Sequence, residues 1–255
     1  MKYDLRIRDS RGVLLEVVQE IPSKGDKFPT VILVPGFGMD LHEYGLFDEL
    51  SAVLIKSGFQ VIRFSFAGTG KSEGNFETMT LESQIQQLKD IIAYVAKDRF
   101  TKPRKIGILG QSFGAATIIA SLPIPKIKTS LLASASTMPS VALAKQLKRQ
   151  RSYNPEGTSI LLRTDQRKIR VGYSIWKSLA HFNLIGSIAK ATQPVLFIYG
   201  SKDRTVKLTE AHQYFAAVPG KKKIHIIELA DHGFTGKFRP KFLDLVVEWF
   251  EETLR

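Results

Sequence analysis

The stretch "KIGILGQSFGAATIIA", residues 105–120, decides how the rest of the chain is read. Its first half is an apolar run rich in Ile and Leu, as a buried strand requires. Its continuation, "FGAATIIASL", holds no proline and suits a helix. Between the two, Ser112 stands between Gly110 and Gly114 in the pattern G-x-S-x-G. A sharp strand-to-helix turn needs small residues on both sides of its centre. In such a turn the serine has strained dihedrals and lifts its Oγ clear of the backbone. The dipole of the following helix favours negative charge developing there. A plain Gly-Ser-Gly turn in a buried loop gives the same letters. Context separates the two: a base and an acid must follow, each after its own strand.

Short apolar runs recur along the chain. "LLEVVQ" (14–19), "TVILVP" (30–35), "QVIRFSF" (60–66), "TSLLAS" (129–134), "PVLFIYG" (194–200) and "KIHIIEL" (223–229) read as strands. Several are apolar at every position, as in a parallel sheet covered on both faces. Amphipathic stretches lie between them: "YGLFDELSAVLIKSG", "LESQIQQLKDIIAYVAKD", "KLTEAHQYFAAVPG" and "PKFLDLVVEWFEETL". Alternating strands and helices predict an α/β fold with right-handed crossovers. Residues 2–9 and 13–19 flank "SRG" and read as a hairpin at the sheet edge. One segment breaks the alternation. Residues 138–190 are too long for an ordinary crossover; they hold a basic helical stretch, a hairpin around Thr164–Lys168 and the helix "SIWKSLAHF". This segment reads as a cap inserted over the carboxyl edge of the sheet, within a single domain of 255 residues.

The base is sought among five histidines. His225 falls inside a strand, His212 on a helix and His181 in the cap, and each reads as structural. His42 follows "GFGMDL" and suits a site entrance. His232 lies in "LADHGF", after the last strand and before the C-terminal helix, where α/β proteins place functional groups. Asp203 is the only acid in "PVLFIYGSKDRTV", while Asp231 adjoins His232 and is expected to point away from its ring. The resulting order, Ser112, Asp203, His232, is that of the α/β-hydrolase fold.

On these residues the chain resembles the α/β-hydrolases. Within them it is similar to the cinnamoyl/feruloyl esterases and to the serine aminopeptidase and monoacylglycerol lipase-like hydrolases. The segments that carry the resemblance are "LVPGFGMD", "VIRFSFAGTGKSEGNFETMT", "LGQSFG", "FIYGSKDRTV" and "ADHGF". It implies a mostly parallel eight-stranded sheet with helices on both faces. It also implies Ser112 as nucleophile, His232 as base, Asp203 as orienting acid, and an oxyanion hole from the N–H groups of Phe37 and Phe113. Gly36, Gln111 and His42 are the expected substrate-binding neighbours. The chain departs from the family's common pattern at Pro35-Gly36, where His-Gly is usual, and at Gln111 and Phe113 beside the serine. The implied activity is hydrolysis of carboxylic esters of small to medium size, without metal or cofactor. A peptidase or thioesterase with the same three residues, and a non-catalytic binding module using the basic cap, are the alternatives.

Composition sets further bounds. The absence of cysteine excludes disulfides, thiolate metal sites and a cysteine nucleophile. No apolar signal segment is visible near the N-terminus, so the cytoplasm is the expected compartment. "SFAGTGKS" ends like a phosphate-binding loop, but Ser65 stands where its first glycine belongs and "SEGNFETMT" is poor helix material. The net charge of +13 fits a lysine-rich surface, an anionic membrane or an acidic substrate; a nucleic-acid partner is not expected. Residues 145–170 hold eight basic and two acidic residues, a net of +6, on the cap. The sharper expectation is that this charge overhangs Ser112 and draws anionic esters or an anionic membrane surface; the plainer one is a solvated face.

Overall fold

In the computed structural model, which describes residues 1–255, the strands form one eight-stranded sheet. In chain order these are β1 (Lys2–Arg8), β2 (Leu14–Glu20), β3 (Phe28–Val34), β4 (Gln60–Phe64), β5 (Thr101–Gln111) and β6 (Thr129–Ala133). After the inserted hairpin β7 (Ser159–Leu162) and β8 (Lys168–Val171) come β9 (Val195–Gly200) and β10 (Lys222–Ile227). The order across the sheet is β1-β2-β4-β3-β5-β6-β9-β10. Only β1–β2 and β2–β4 pair antiparallel; the rest are parallel. The expected N-terminal hairpin is therefore present at the sheet edge, inside a mostly parallel α/β sheet.

The all-apolar strands are explained by their alternation. In β3, Ile32 and Val34 point into one core and Val31 and Leu33 into the other. In β9, Val195, Phe197 and Tyr199 face the first core, while Leu196 and Ile198 face the second. Successive side chains point to opposite faces, and both faces are covered. The first core packs under α2 (Leu81–Val95), α3 (Phe113–Ala120) and α7 (Leu208–Ala217). The second packs under α1 (Leu46–Lys56) and α8 (Arg239–Leu254). The α2 helix starts sharply because Thr80 and Ser83 exchange side-chain and backbone hydrogen bonds in a capping box. It begins only at Leu81, so no helix follows Ser72 and "SFAGTGKS" lacks the helix that a phosphate-binding loop needs.

Between β6 and β9 the chain forms α4 (Pro139–Arg149), the β7–β8 hairpin, α5 (Ser174–Ala180) and α6 (Leu184–Ile188). Leu143, Leu147, Leu161, Val171, Ile175 and Leu179 close a third apolar cluster over Phe113, Phe76 and Met79. Polar ties reinforce it: Arg170 Nε donates to Glu77 at 2.6 Å, and the Leu81 N–H donates to Ser178 Oγ at 2.9 Å. The boundary differs from the sequence expectation of 138–190. Leu184, Ile188 and Ala191 belong to the main core with α3 and α7, so the overlying part ends near Phe182. The short apolar run "LIGSIA" has too few residues to reveal by periodicity which layer it joins. No helix is long and apolar enough to cross a membrane.

Candidate active site

Ser112 occupies the joint between β5 and α3. Its φ of 53° and ψ of −114° lie outside the regions that side chains ordinarily adopt. Two close approaches hold it there. A Cβ on Gly110 would stand 2.5 Å from the Ala115 nitrogen, and one on Gly114 would stand 2.2 Å from the Val34 carbonyl oxygen. Only glycine fits at either position. The Ser112 N–H donates to the Ala133 carbonyl at 2.8 Å, which ties the turn to β6.

His232 follows β10 and faces this serine. Its Nε2 is 2.9 Å from Ser112 Oγ, and its Nδ1 is 2.7 Å from Asp203 Oδ2. The Asp203 side chain is fully enclosed, and its Oδ1 accepts the N–H groups of Thr205 and Val206 at 2.7 and 2.9 Å. An enclosed carboxylate with this many donors favours the proton on Nδ1, which leaves Nε2 to accept from the serine. The His232 main chain is held as well: its carbonyl accepts from Gln111 Nε2 at 2.9 Å and from Ser134 Oγ at 3.1 Å. Asp231 turns away as expected. Its carboxylate takes the Thr235 N–H at 2.8 Å and the Thr235 hydroxyl at 2.6 Å. Burial raises its pKa, but these bonds outweigh burial and leave it lowered.

Phe37 follows β3, and its N–H donates to no group of the protein. Phe113 opens α3, where an N–H has no intrahelical acceptor. The two rings meet edge to face with centroids 5.2 Å apart. With Ser112, His232 and Gly36 they line a cavity of about 310 Å³. No three His, Asp or Glu side chains are grouped so as to hold a metal ion.

Two expected neighbours take other roles. Gln111 lines the cavity but is only 2 % exposed; its Nε2 donates to the His232 carbonyl, while its Oε1 has no partner in the protein. His42 does not line the cavity. It points outward and pairs with Asp48 through Nδ1 at 2.9 Å. The cause is local: Glu43 and Tyr44 both have left-handed dihedrals, with φ of 46° and 54°. That turn carries Glu43 inward in place of His42. The buried Glu43 Oε2 accepts the Gly36 N–H at 2.7 Å. Burial pushes its carboxyl up to about 7, against the lowering effect of that bond and of the Arg163 charge.

Most of the basic segment is directed away from Ser112. Arg167 pairs with Asp165 at 2.7 Å, and Arg170 pairs with Glu77. Lys145, Lys148 and Arg149 line a separate outward groove on α4. Of the eight basic residues in 145–170 only Arg163 lines the cavity over Ser112. Its Nε and Nη2 are enclosed without an acceptor, and burial lowers its pKa. Glu43 carries no motif that marks it as a site residue, and Arg163 is marked only as one of the eight basic residues of 145–170.

Residues 11–159 match the family described as X-Pro dipeptidyl-peptidase (S15 family). The chain belongs to the S15 family. It is thus an enzyme of the α/β-hydrolase type. The matched region of this S15 member contains Phe37, Ser112 and Phe113 and stops before Asp203 and His232. A curated relative, the mitochondrial palmitoyl-protein thioesterase ABHD10 of Mus musculus, is 26% identical over 206 residues. That match spans 71% of this chain and 60% of the relative's length. Solved structures share the fold. The ferulic-acid-bound Est1E of Butyrivibrio proteoclasticus superposes with a TM-score of 0.83 at 22% identity, covering 98% of each chain. The Pyrococcus furiosus esterase Pf2001 gives 0.78 at 21% identity, covering 100% of this chain and 91% of its own.

Proposed function

We propose that this S15-family chain is a serine hydrolase that cleaves carboxylic esters of small to medium size through an acyl-enzyme on Ser112. The observation that carries the reading is the position of His232, hydrogen-bonded to Ser112 Oγ through one ring nitrogen and to Asp203 through the other. In the first step His232 Nε2 takes the Ser112 proton as Oγ attacks the ester carbonyl. The carbonyl oxygen becomes an oxyanion between the N–H groups of Phe37 and Phe113. Each such donor contributes about 10²–10³ in rate in enzymes where one has been removed. Asp203 keeps Nδ1 protonated and stabilises the imidazolium. The imidazolium then gives its proton to the departing alkoxide, and the acyl group stays on Ser112. Water, deprotonated by His232, attacks the acyl-enzyme and releases the acid with Ser112 restored.

Two neighbouring readings are kept by specific findings. The family description favours a peptidase and the curated relative's name a thioesterase, and both use the same steps on a different acyl donor. A fluorophosphonate probe with p-nitrophenyl butyrate, a thioester and an X-Pro p-nitroanilide separates them. Labelling on Ser112 with fastest turnover of the ester is the expected result. Labelling elsewhere, or turnover of the anilide or thioester alone, would refute the esterase reading.

A further inference from the structure

Arg163 is the one cation lining the cavity without a counterion or acceptor of its own. The other cavity arginine, Arg239, is held by Glu49 at 3.1 Å and by the Phe234 carbonyl. Arg163 follows β7 directly, on the turn of the hairpin, and its N–H donates to the Arg167 carbonyl at 2.9 Å. From there the guanidinium reaches down to the loop after β3. Its Nη2 lies 3.4 Å from the point where a Cβ on Gly38 would stand. Gly38 is next to Phe37, so the cation sits one residue beyond the proposed oxyanion donor. The acids around it are committed elsewhere. Asp165 and Asp40 face Arg167, and Glu43 accepts from Gly36 without forming an ion pair to Arg163.

An enclosed guanidinium with unused donors is unfavourable alone and strongly favourable against a planar oxyanion, which it meets with two parallel N–H bonds. We propose that Arg163 is a specificity residue that binds a carboxylate carried by the ester, so that carboxylate-bearing esters are preferred over neutral esters of equal size. The inference rests on the ester-hydrolase reading and names its substrate class. A planar monoanionic carboxylate matches the single guanidinium in both shape and charge.

The test uses two matched pairs, one for each half of the ester. Phenyl hydrogen adipate is compared with phenyl heptanoate, and 4-(butyryloxy)benzoate with 4-acetylphenyl butyrate. In the wild type one pair favours its carboxylate member by at least about tenfold in kcat/KM, mainly through KM. Arg163→Met brings that ratio to about one. Arg163→Lys keeps the charge but loses the fork and gives an intermediate ratio. Ratios near one in both wild-type pairs, or a ratio unchanged by both substitutions, overturn the proposal. A binding arm is independent of turnover: Ser112→Ala is titrated calorimetrically with adipate and with benzoate, with and without Arg163→Met. Binding of one of them that weakens at least about tenfold on losing Arg163 supports the proposal, and Arg163-independent binding, or none, overturns it. Should the wild type cleave no ester, the hydrolase reading falls while this arm still decides the role of Arg163.

Discussion

The side-chain amide of Gln111 donates to the main-chain carbonyl of His232 across 2.9 Å, so the residue before the serine fixes the backbone of the histidine that faces it. Ser134 shares that carbonyl at 3.1 Å. Gln111 is thus a positioning residue. Gln111→Leu is expected to lower kcat by roughly 10- to 100-fold with little change in KM, since displacements of an ångström carry costs of that size. Steady-state kinetics on p-nitrophenyl butyrate decide it, and a change confined to KM would show contact with substrate instead.

The histidines give a ranking. His232→Ala should be nearly as damaging as Ser112→Ala, because hydrogen-bonded groups of this kind act as a unit. His42→Ala should stay near wild type, since His42 faces Asp48 outside the cavity. Asp203→Asn is expected to lose on the order of 10⁴ in kcat at neutral pH through the wrong tautomer. The reverse order of the two histidine variants would reassign the base.

Glu43 predicts a pH-dependent stability. Its folded pKa is raised by burial from the ordinary 4.5 to about 7, so over that interval the folded state binds more protons than the unfolded chain. Stability therefore falls as pH rises from about 4.5 to about 7, by up to about 3 kcal/mol from this group. Glu43→Gln keeps an acceptor for the Gly36 N–H and removes the titration. Urea unfolding at pH 4.5, 6 and 7.5 should give a flatter profile in the variant. Parallel profiles would show that Glu43 does not titrate there.

The elbow glycines predict a steric cost. Gly114→Ala places a methyl group 2.2 Å from the Val34 carbonyl oxygen, where backbone must move. Destabilisation of more than about 3 kcal/mol is expected, well above an ordinary helical glycine-to-alanine change. Gly220→Ala is the control, since a Cβ there meets nothing within 4 Å. Chemical denaturation of the two variants measures the difference.

Much of the fold was legible because strands in this sheet are apolar on both faces, so the cores of β3 and β9 stand out as apolar runs. The serine turn was legible because two glycines are sterically required beside it. The loop between β3 and α1 was not. Nothing in "MDLHEYG" shows that left-handed dihedrals at Glu43 and Tyr44 turn the histidine out and the glutamate in. Face assignment by counting residues works only where the backbone repeats, and here it does not. The basic segment was legible as charge but not as direction. Hairpin and helix geometry send Arg170 and Lys145 outward and Arg163 inward, and their spacing alone does not record this. The tie from Gln111 to the His232 carbonyl was not legible, because the two residues lie 121 positions apart.

The overlying segment leaves the sheet after β6 and rejoins the main core at α6, so both of its ends are fixed on the body. Its apolar underside rests on Phe76, Met79, Leu81 and Phe113. Such an arrangement is modular in an evolutionary sense. Exchange of the span from Pro139 to Phe182 would leave the strand pairing beneath Ser112, Asp203 and His232 intact, since β7 and β8 pair only with each other. Those four body residues act as the fitting that a replacement must match. Phe113 is the most constrained of them, because its side chain belongs to the fitting while its N–H is one of the two proposed oxyanion donors.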